Sequence, residues 1–287
     1  MIRVEKDFSN PPVKLTTDER TRLIQLTLSE KGKHEFKKKV YRDSVYDELV
    51  VLYHGKCAYC ETDTRAGAPM QVEHYRPKAK VTEDNLHEGY YWIGYEWSNL
   101  LLSCSKCNNK KRNHFPVSGM RVASPTLTQE GLLDTDSIIA NSQVFQQEQA
   151  LLLHPEIDEA ERLFIFLPDG TVHAANQNLR AIETIKICDL NRKDLVEKRL
   201  KILNYFFDQL QTELRDLEMQ KINEEKARHA IKRLFEKLAL LQNPKNEYSR
   251  FGYFMFVKFD KFFSERLPTK QGNAAKRLFE QFRTGQL

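Results

Sequence analysis

Cys57 and Cys60 form one C-x2-C pair, Cys104 and Cys107 form a second, and Val72-Glu73-His74-Tyr75-Arg76-Pro77-Lys78 lies between them. Asn108 follows the last cysteine directly. A C-x2-C pair presents two thiolates from one tight turn, and two such pairs complete the tetrahedron that Zn²⁺ prefers. Four buried thiols without a ligand would give no reason for the repeated spacing. A lone histidine is more often a packed or surface residue than a catalyst, but here it stands beside a carboxylate, and the staple would bring an amide oxygen close. Phosphodiester hydrolysis needs those parts: a base to deprotonate water, and a hard cation such as Mg²⁺ or Mn²⁺ to offset charge on the phosphate and the leaving oxygen. Carboxylate and amide oxygens suit that cation.

The elements that must position these residues are short. From Gly55 to about Pro116 the apolar periodicity breaks into small pieces separated by Gly, Pro, Asn and Asp, as in a unit organised by metal rather than by a large core. Asn99-Leu100-Leu101-Leu102-Ser103 is an apolar strand or turn feeding the second cysteine pair, and a helix is expected from Asn108 until Phe115-Pro116 ends it. Before this unit, Thr17 is placed to cap a helix carrying Leu23, Ile24, Leu26 and Leu28, and a second helix is expected from about Lys33 to Tyr53, stopped by Gly55. After it, Leu151-Leu152-Leu153, Phe164–Leu167 and Thr171-Val172-His173 read as short strands, with Pro168-Asp169-Gly170 as a hairpin turn. Beyond Asn178 the pattern is helical: a cap at Leu190–Asp194, an amphipathic stretch to about Gln220, a helix over roughly Glu224–Leu241, and another in Phe251–Phe263. The fold class expected is α+β, mostly α. Its segments are an N-terminal helical part (1–54), the cysteine-bound core (55–117), a strand and loop extension (118–180) and a C-terminal helical domain (181–287).

Composition sets outer bounds. The 287 residues are 40% hydrophobic and 30% charged, enough for a substantial core without help from a metal, so the cysteines serve a local subdomain. No apolar run approaches a membrane span, and Met1–Asp7 lacks an apolar signal region, so a cytoplasmic, non-membrane protein is expected. A reducing compartment favours thiolate ligands over disulfides and leaves Cys188 as a small apolar residue. The net charge of +5 is mildly basic. Its local distribution matters more: Arg76, Lys78, Lys110, Lys111 and Arg112 crowd the cysteine unit, where phosphate contacts would be useful, although a charge run is usually a solvated face. Tyr90–Trp92 and Tyr95–Trp97 are read as core of the small unit rather than as base-stacking platforms.

The order C-x2-C, Glu-His, Asn, C-x2-C-Asn resembles the HNH endonucleases, whose ββα-metal unit carries a histidine general base on a strand and a metal ligand on the following helix. The resemblance implies that His74 is the base, that Glu73 is the acidic metal ligand, and that Asn99 is the central asparagine that braces the loop between the strands. Asn108 stands where many members have histidine. That departure favours Mg²⁺ or Mn²⁺ over softer ions at the catalytic position. Val72–Lys78, Tyr95–Leu100, Cys104–Asn108, His154-Pro155-Glu156 and Leu190-Asn191-Arg192, in this order, are similar to the PtuB-like HNH proteins. Those proteins occur in Septu and some retron-linked anti-phage systems beside a PtuA ATPase. The resemblance covers roughly residues 1–200 and implies a DNA-cleaving nuclease with a structural Zn²⁺ on Cys57, Cys60, Cys104 and Cys107, a catalytic Mg²⁺ or Mn²⁺, and a PtuA-like ATPase partner. Two readings stand beside it: an RNA nuclease, such as one cutting tRNA, on the same site, and a zinc-stapled binding module without chemistry.

Overall fold

In the computed structural model, which describes residues 1–287, the chain is a mostly helical α+β protein with two small two-stranded sheets. It divides into two compact units, Met1–Phe164 with Ala174–Leu190, and Ile165–His173 with Asn191–Leu287. No helix is long and apolar enough to cross a membrane.

The first unit opens with α1 (Asp18–Glu30), whose Thr17 side chain accepts the Arg20 amide as an N-cap. The single helix expected over residues 33–53 is instead two, α2 (Lys38–Tyr41) and α3 (Tyr46–Leu52). Ser44 donates its hydroxyl to the Val40 carbonyl, an alternative to the helical ladder, and Val45 leaves helical geometry at φ −122°. Gly55, at φ +75°, ends the segment in a conformation that favours glycine.

The cysteine-bound core is a hairpin and a helix: β1 (Gln71–His74), β2 (Leu100–Ser103) and α4 (Ser105–Lys111). The strands are antiparallel, pairing Gln71 with Ser103 and His74 with Leu100. The helix begins three residues earlier than its expected start at Asn108, because Cys104 is its N-cap and its sulfur accepts the Cys107 amide. It ends at Arg112, φ 44°, before the Phe115-Pro116 stop. Ahead of β1, the Ala58 amide donates to the Leu102 carbonyl and ties the first cysteine turn to β2.

Leu151–Leu153 is not a strand. Most of the backbone partners here are side chains: Arg180 donates to the carbonyls of Leu152 and the preceding Ala150, Tyr75 Oη also donates to Leu152, and Thr184 Oγ1 accepts the Leu153 amide, while the Leu151 amide donates to the Pro116 carbonyl. Arg180 and Thr184 lie on α6 (Leu179–Ile187), so this helix belongs with the first unit although the sequence places it mainly in the C-terminal part. One further helical turn, α5 (Gln143–Gln146), precedes the loop.

A hairpin of β3 (Phe164–Phe166) and β4 (Val172–Ala174) turns at Pro168-Asp169-Gly170 as expected. The second unit continues through α7 (Lys193–Glu218), α8 (Glu224–Leu240), α9 (Ser249–Val257), α10 (Phe259–Phe262) and α11 (Thr269–Arg283). In α7 the buried residues Leu195, Arg199, Leu203, Phe206, Leu210 and Leu214 recur every three or four positions and face α8 and α11. Within the expected cap segment Leu190–Asp194 the N-cap is Arg192, without a side-chain cap bond, and the Asn191 amide is spent on both backbone groups of Val172, at 2.8 Å each. Phe235, Phe259 and Phe279 form the aromatic centre, with Phe259 and Phe279 stacked 3.9 Å apart.

The four thiols define the first test. Cys107→Ser should abolish stoichiometric zinc by elemental analysis and lower the melting temperature, whereas Cys188→Ser should keep the zinc. Equal zinc content in both variants would contradict a four-cysteine site.

Candidate functional site

Cys57, Cys60, Cys104 and Cys107 are all buried, and their sulfurs lie within 4.8 Å of one another. A tetrahedral ion with Zn–S bonds of about 2.3 Å requires sulfurs about 3.8 Å apart. Cys60 and Cys104 are 3.8 Å apart. Without a cation the cluster is awkward: burial pushes the Cys57 thiol up, while the Cys107 thiol beside Cys104 holds that sulfur's pKa down. A dication shared by four sulfurs resolves this conflict, and the donor set is consistent with structural zinc.

Side chains alternate across a strand, so Gln71 and Glu73 share one face of β1. On α4, Asn108 and Lys111 are three apart and share a face. These two faces meet. Asn108 Nδ2 donates to Gln71 Oε1 at 2.5 Å, and Lys111 Nζ lies 2.7 Å from Glu73 Oε1. Lys111 also donates to the carbonyl of His74 at 2.9 Å, so one ammonium touches both residues of the Glu-His pair. Burial raises the Glu73 carboxyl above its ordinary pKa, against the pull of Lys111. Glu73, Asn108 and Gln71 carry carboxylate and amide oxygens, the donor types that a cation of the Mg²⁺ class takes.

His74 ends the strand on the other face, in contact with the rings of Tyr41 (4.8 Å) and Phe36 (6.4 Å). Its Nε2 is 2.8 Å from the Gly94 carbonyl. A carbonyl can only accept, so Nε2 carries the proton and Nδ1 presents the lone pair. Burial holds the imidazole well below its ordinary pKa, and the nearby Lys78 charge pushes the same way. It is therefore neutral at pH 7, the state a general base requires. Gly94 cannot carry a side chain here, since a Cβ would sit 2.1 Å from the Phe36 ring.

Asn99 is fully buried and closes the loop after β1. Its Oδ1 accepts the Arg76 amide at 2.8 Å, and its Nδ2 donates to the carbonyls of Arg76 and Ile93. Its own carbonyl accepts the Tyr75 amide. One side chain thus holds the segment after His74 and the segment before Gly94.

Two of the five basic residues expected at phosphates are interior instead. Arg76 is interior: its guanidinium lies on the Phe145 ring and pairs with Glu148 at 2.9 Å, so it does not contact phosphate. Lys111 is wholly buried on Glu73 and is likewise not a surface contact. Lys78 is half-buried over Tyr41 and Phe36, and burial lowers its pKa to about 8. Lys110 and Arg112 are exposed, Lys110 with an ion pair to Asp189. His114 is engaged elsewhere, its Nδ1 2.8 Å from Glu83 Oε1. Gln71, Gly94 and the inward role of Lys111 were not read from the sequence. Gln71 could have been found from its two-residue spacing to Glu73, but a backbone carbonyl such as that of Gly94 leaves no compositional signal.

Fold and site together define a β-hairpin and helix gathered around a buried four-cysteine cluster within a mostly helical chain. No protein-family model matches it. The chain is a homologue of Septu protein PtuB: it is similar to that protein from Bacillus mycoides (strain KBAB4), 27% identical over 212 residues covering 70% of this chain and 67% of the relative. It is also similar to Septu protein PtuB of Bacillus thuringiensis, 36% identical over 67 residues, 23% of each chain. A third similarity is to Septu protein PtuA of Bacillus mycoides, 29% identical over 189 residues, 58% of this chain and 24% of that one.

Asn99→Ala leaves the buried Arg76 amide without its acceptor, which should cost about 1–3 kcal/mol in urea denaturation. A loss below about 0.5 kcal/mol would show that the loop does not depend on this side chain.

Proposed function

We propose that the chain is an HNH endonuclease that hydrolyses DNA with a divalent cation, acting as the nuclease of a Septu anti-phage defence system together with a PtuA-type ATPase. The observation that carries this reading is the fixed tautomer of His74. Its Nε2 proton is committed to Gly94, which leaves a neutral Nδ1 to take a proton. Homology to PtuB supports the biological setting, and the four-cysteine clamp with its hairpin and helix supports the enzyme class.

In the proposed reaction His74 Nδ1 removes a proton from water, and the resulting hydroxide oxygen forms a bond to phosphorus. The bond from phosphorus to the 3′ oxygen breaks, and that oxygen leaves to take a proton from solvent. Glu73 and Asn108 would hold a Mg²⁺ or Mn²⁺ ion, whose charge offsets that on the phosphate and the departing oxygen. Lys78, Lys110 and Arg112 are the cations available to neighbouring phosphates. Asn99 and Lys111 act on the base indirectly, by fixing the backbone at its carbonyl and just after it.

His74→Ala, purified with its ATPase partner, should lower Mg²⁺-dependent plasmid nicking by at least about a hundredfold while leaving the chain folded and its zinc content unchanged. Full activity in that variant would remove the assignment, and parallel assays on tRNA and DNA decide the substrate. A second expectation concerns pH. The Lys78 ammonium, with its pKa near 8, loses charge as pH climbs through that value, so affinity for a fluorescent oligonucleotide should fall between pH 7 and 9. Lys78→Arg, which stays charged, should flatten that fall in an anisotropy titration.

A further inference from the structure

We infer that the divalent cation and the substrate phosphate enter the Glu73 site together, because Lys111 already neutralises the carboxylate that the site offers. The inference rests on the nuclease reading above. Lys111 is not a flexible surface residue that could swing aside: its side chain is 0% exposed, that of Glu73 is 6% exposed, and the two are 2.7 Å apart. The same ammonium is held a second time by the His74 carbonyl.

A charge count follows. Glu73 contributes one negative charge, Lys111 one positive, and Lys78, with its amine 3.9 Å from the Tyr41 ring centre, acts on Glu73 as a second positive charge. Gln71 and Asn108 are neutral amides. The four cysteines are the only group of three or more Cys, His, Asp or Glu side chains arranged to hold a metal, so no further acidic cluster supports a cation at Glu73. A dication arriving alone would meet side chains already in positive excess, in a buried place where water and salt screen little. A phosphodiester brings the missing negative charge and an additional oxygen ligand. Magnesium sites with one or two protein carboxylates draw on substrate phosphates in this way. Lys111 thereby makes cation affinity conditional on nucleic acid while keeping the Glu-His pair assembled in its absence.

The test is a Mn²⁺ titration followed by electron paramagnetic resonance on the zinc-replete His74→Ala chain, which holds DNA without turnover. Binding is compared with and without a short duplex, with uptake by the duplex alone subtracted. Mn²⁺ should bind at least about tenfold more tightly with duplex, and Glu73→Gln should lose that increment. Lys111→Met in the same background should bind Mn²⁺ without duplex more tightly than the parent does; if that variant fails to fold, the parent comparison decides by itself. Equal Mn²⁺ affinity with and without duplex overturns the inference, as does an increment that survives Glu73→Gln. If the His74-intact chain nicks DNA under those conditions, the nuclease reading stands and only the coupling fails. Absence of Mn²⁺ uptake at Glu73 in both conditions, together with absence of nicking, overturns both.

Discussion

Four sulfurs gathered within 4.8 Å are the constraint on which the rest of the site depends. They join a turn at Cys57–Cys60 to the junction of β2 and α4, segments more than forty residues apart. The elements around them are short: β1 and β2 are four residues each, and α4 is seven. An isolated two-stranded hairpin and a two-turn helix are each marginal in water. The cysteine clamp, with Cys104 also capping α4, supplies the order that length does not.

Once the hairpin and helix are joined, ordinary geometric periods distribute the chemistry. The two-residue repeat of β1 sends Gln71 and Glu73 toward α4 and His74 away from it, while the three-residue step on α4 presents Asn108 and Lys111 to meet them. The Glu-His pair is therefore split between two environments. Glu73 sits in a buried ionic contact, whereas His74 sits among aromatic rings that hold its imidazole neutral. Two adjacent residues can then take different roles, one at a cation and one at a proton, because the strand keeps them apart.

The second unit follows another logic. Its helices are long, amphipathic and packed on phenylalanine, so its stability comes from area removed from water. No motif of the kind found in the cysteine unit occurs there. Sequence periodicity located α7 and α8 closely, since the buried residues from Leu195 to Leu214 repeat at helical spacing over about five turns, and those from Ala227 to Leu238 do the same in α8. It did not single out α11, where the buried face is Gly272, Ala275, Leu278 and Phe279 and two of the four residues are too small to signal burial.

What the sequence determined by itself is the chemistry that could be assembled. The paired C-x2-C spacing, the Glu73-His74 dipeptide and the positions of Asn99 and Asn108 name the donors, because ligand type and turn length are local properties. Tertiary structure decided which charged residues stay exposed. Arg76, Lys78, Lys110, Lys111 and Arg112 look alike in a list of basic residues near the site. Arg76 and Lys111 are interior because Glu148 and Glu73, 72 and 38 positions away, are there to pair with them. A buried cation is stable only with such a partner, and whether one arrives is a property of the folded chain, not of the residue's neighbours in sequence.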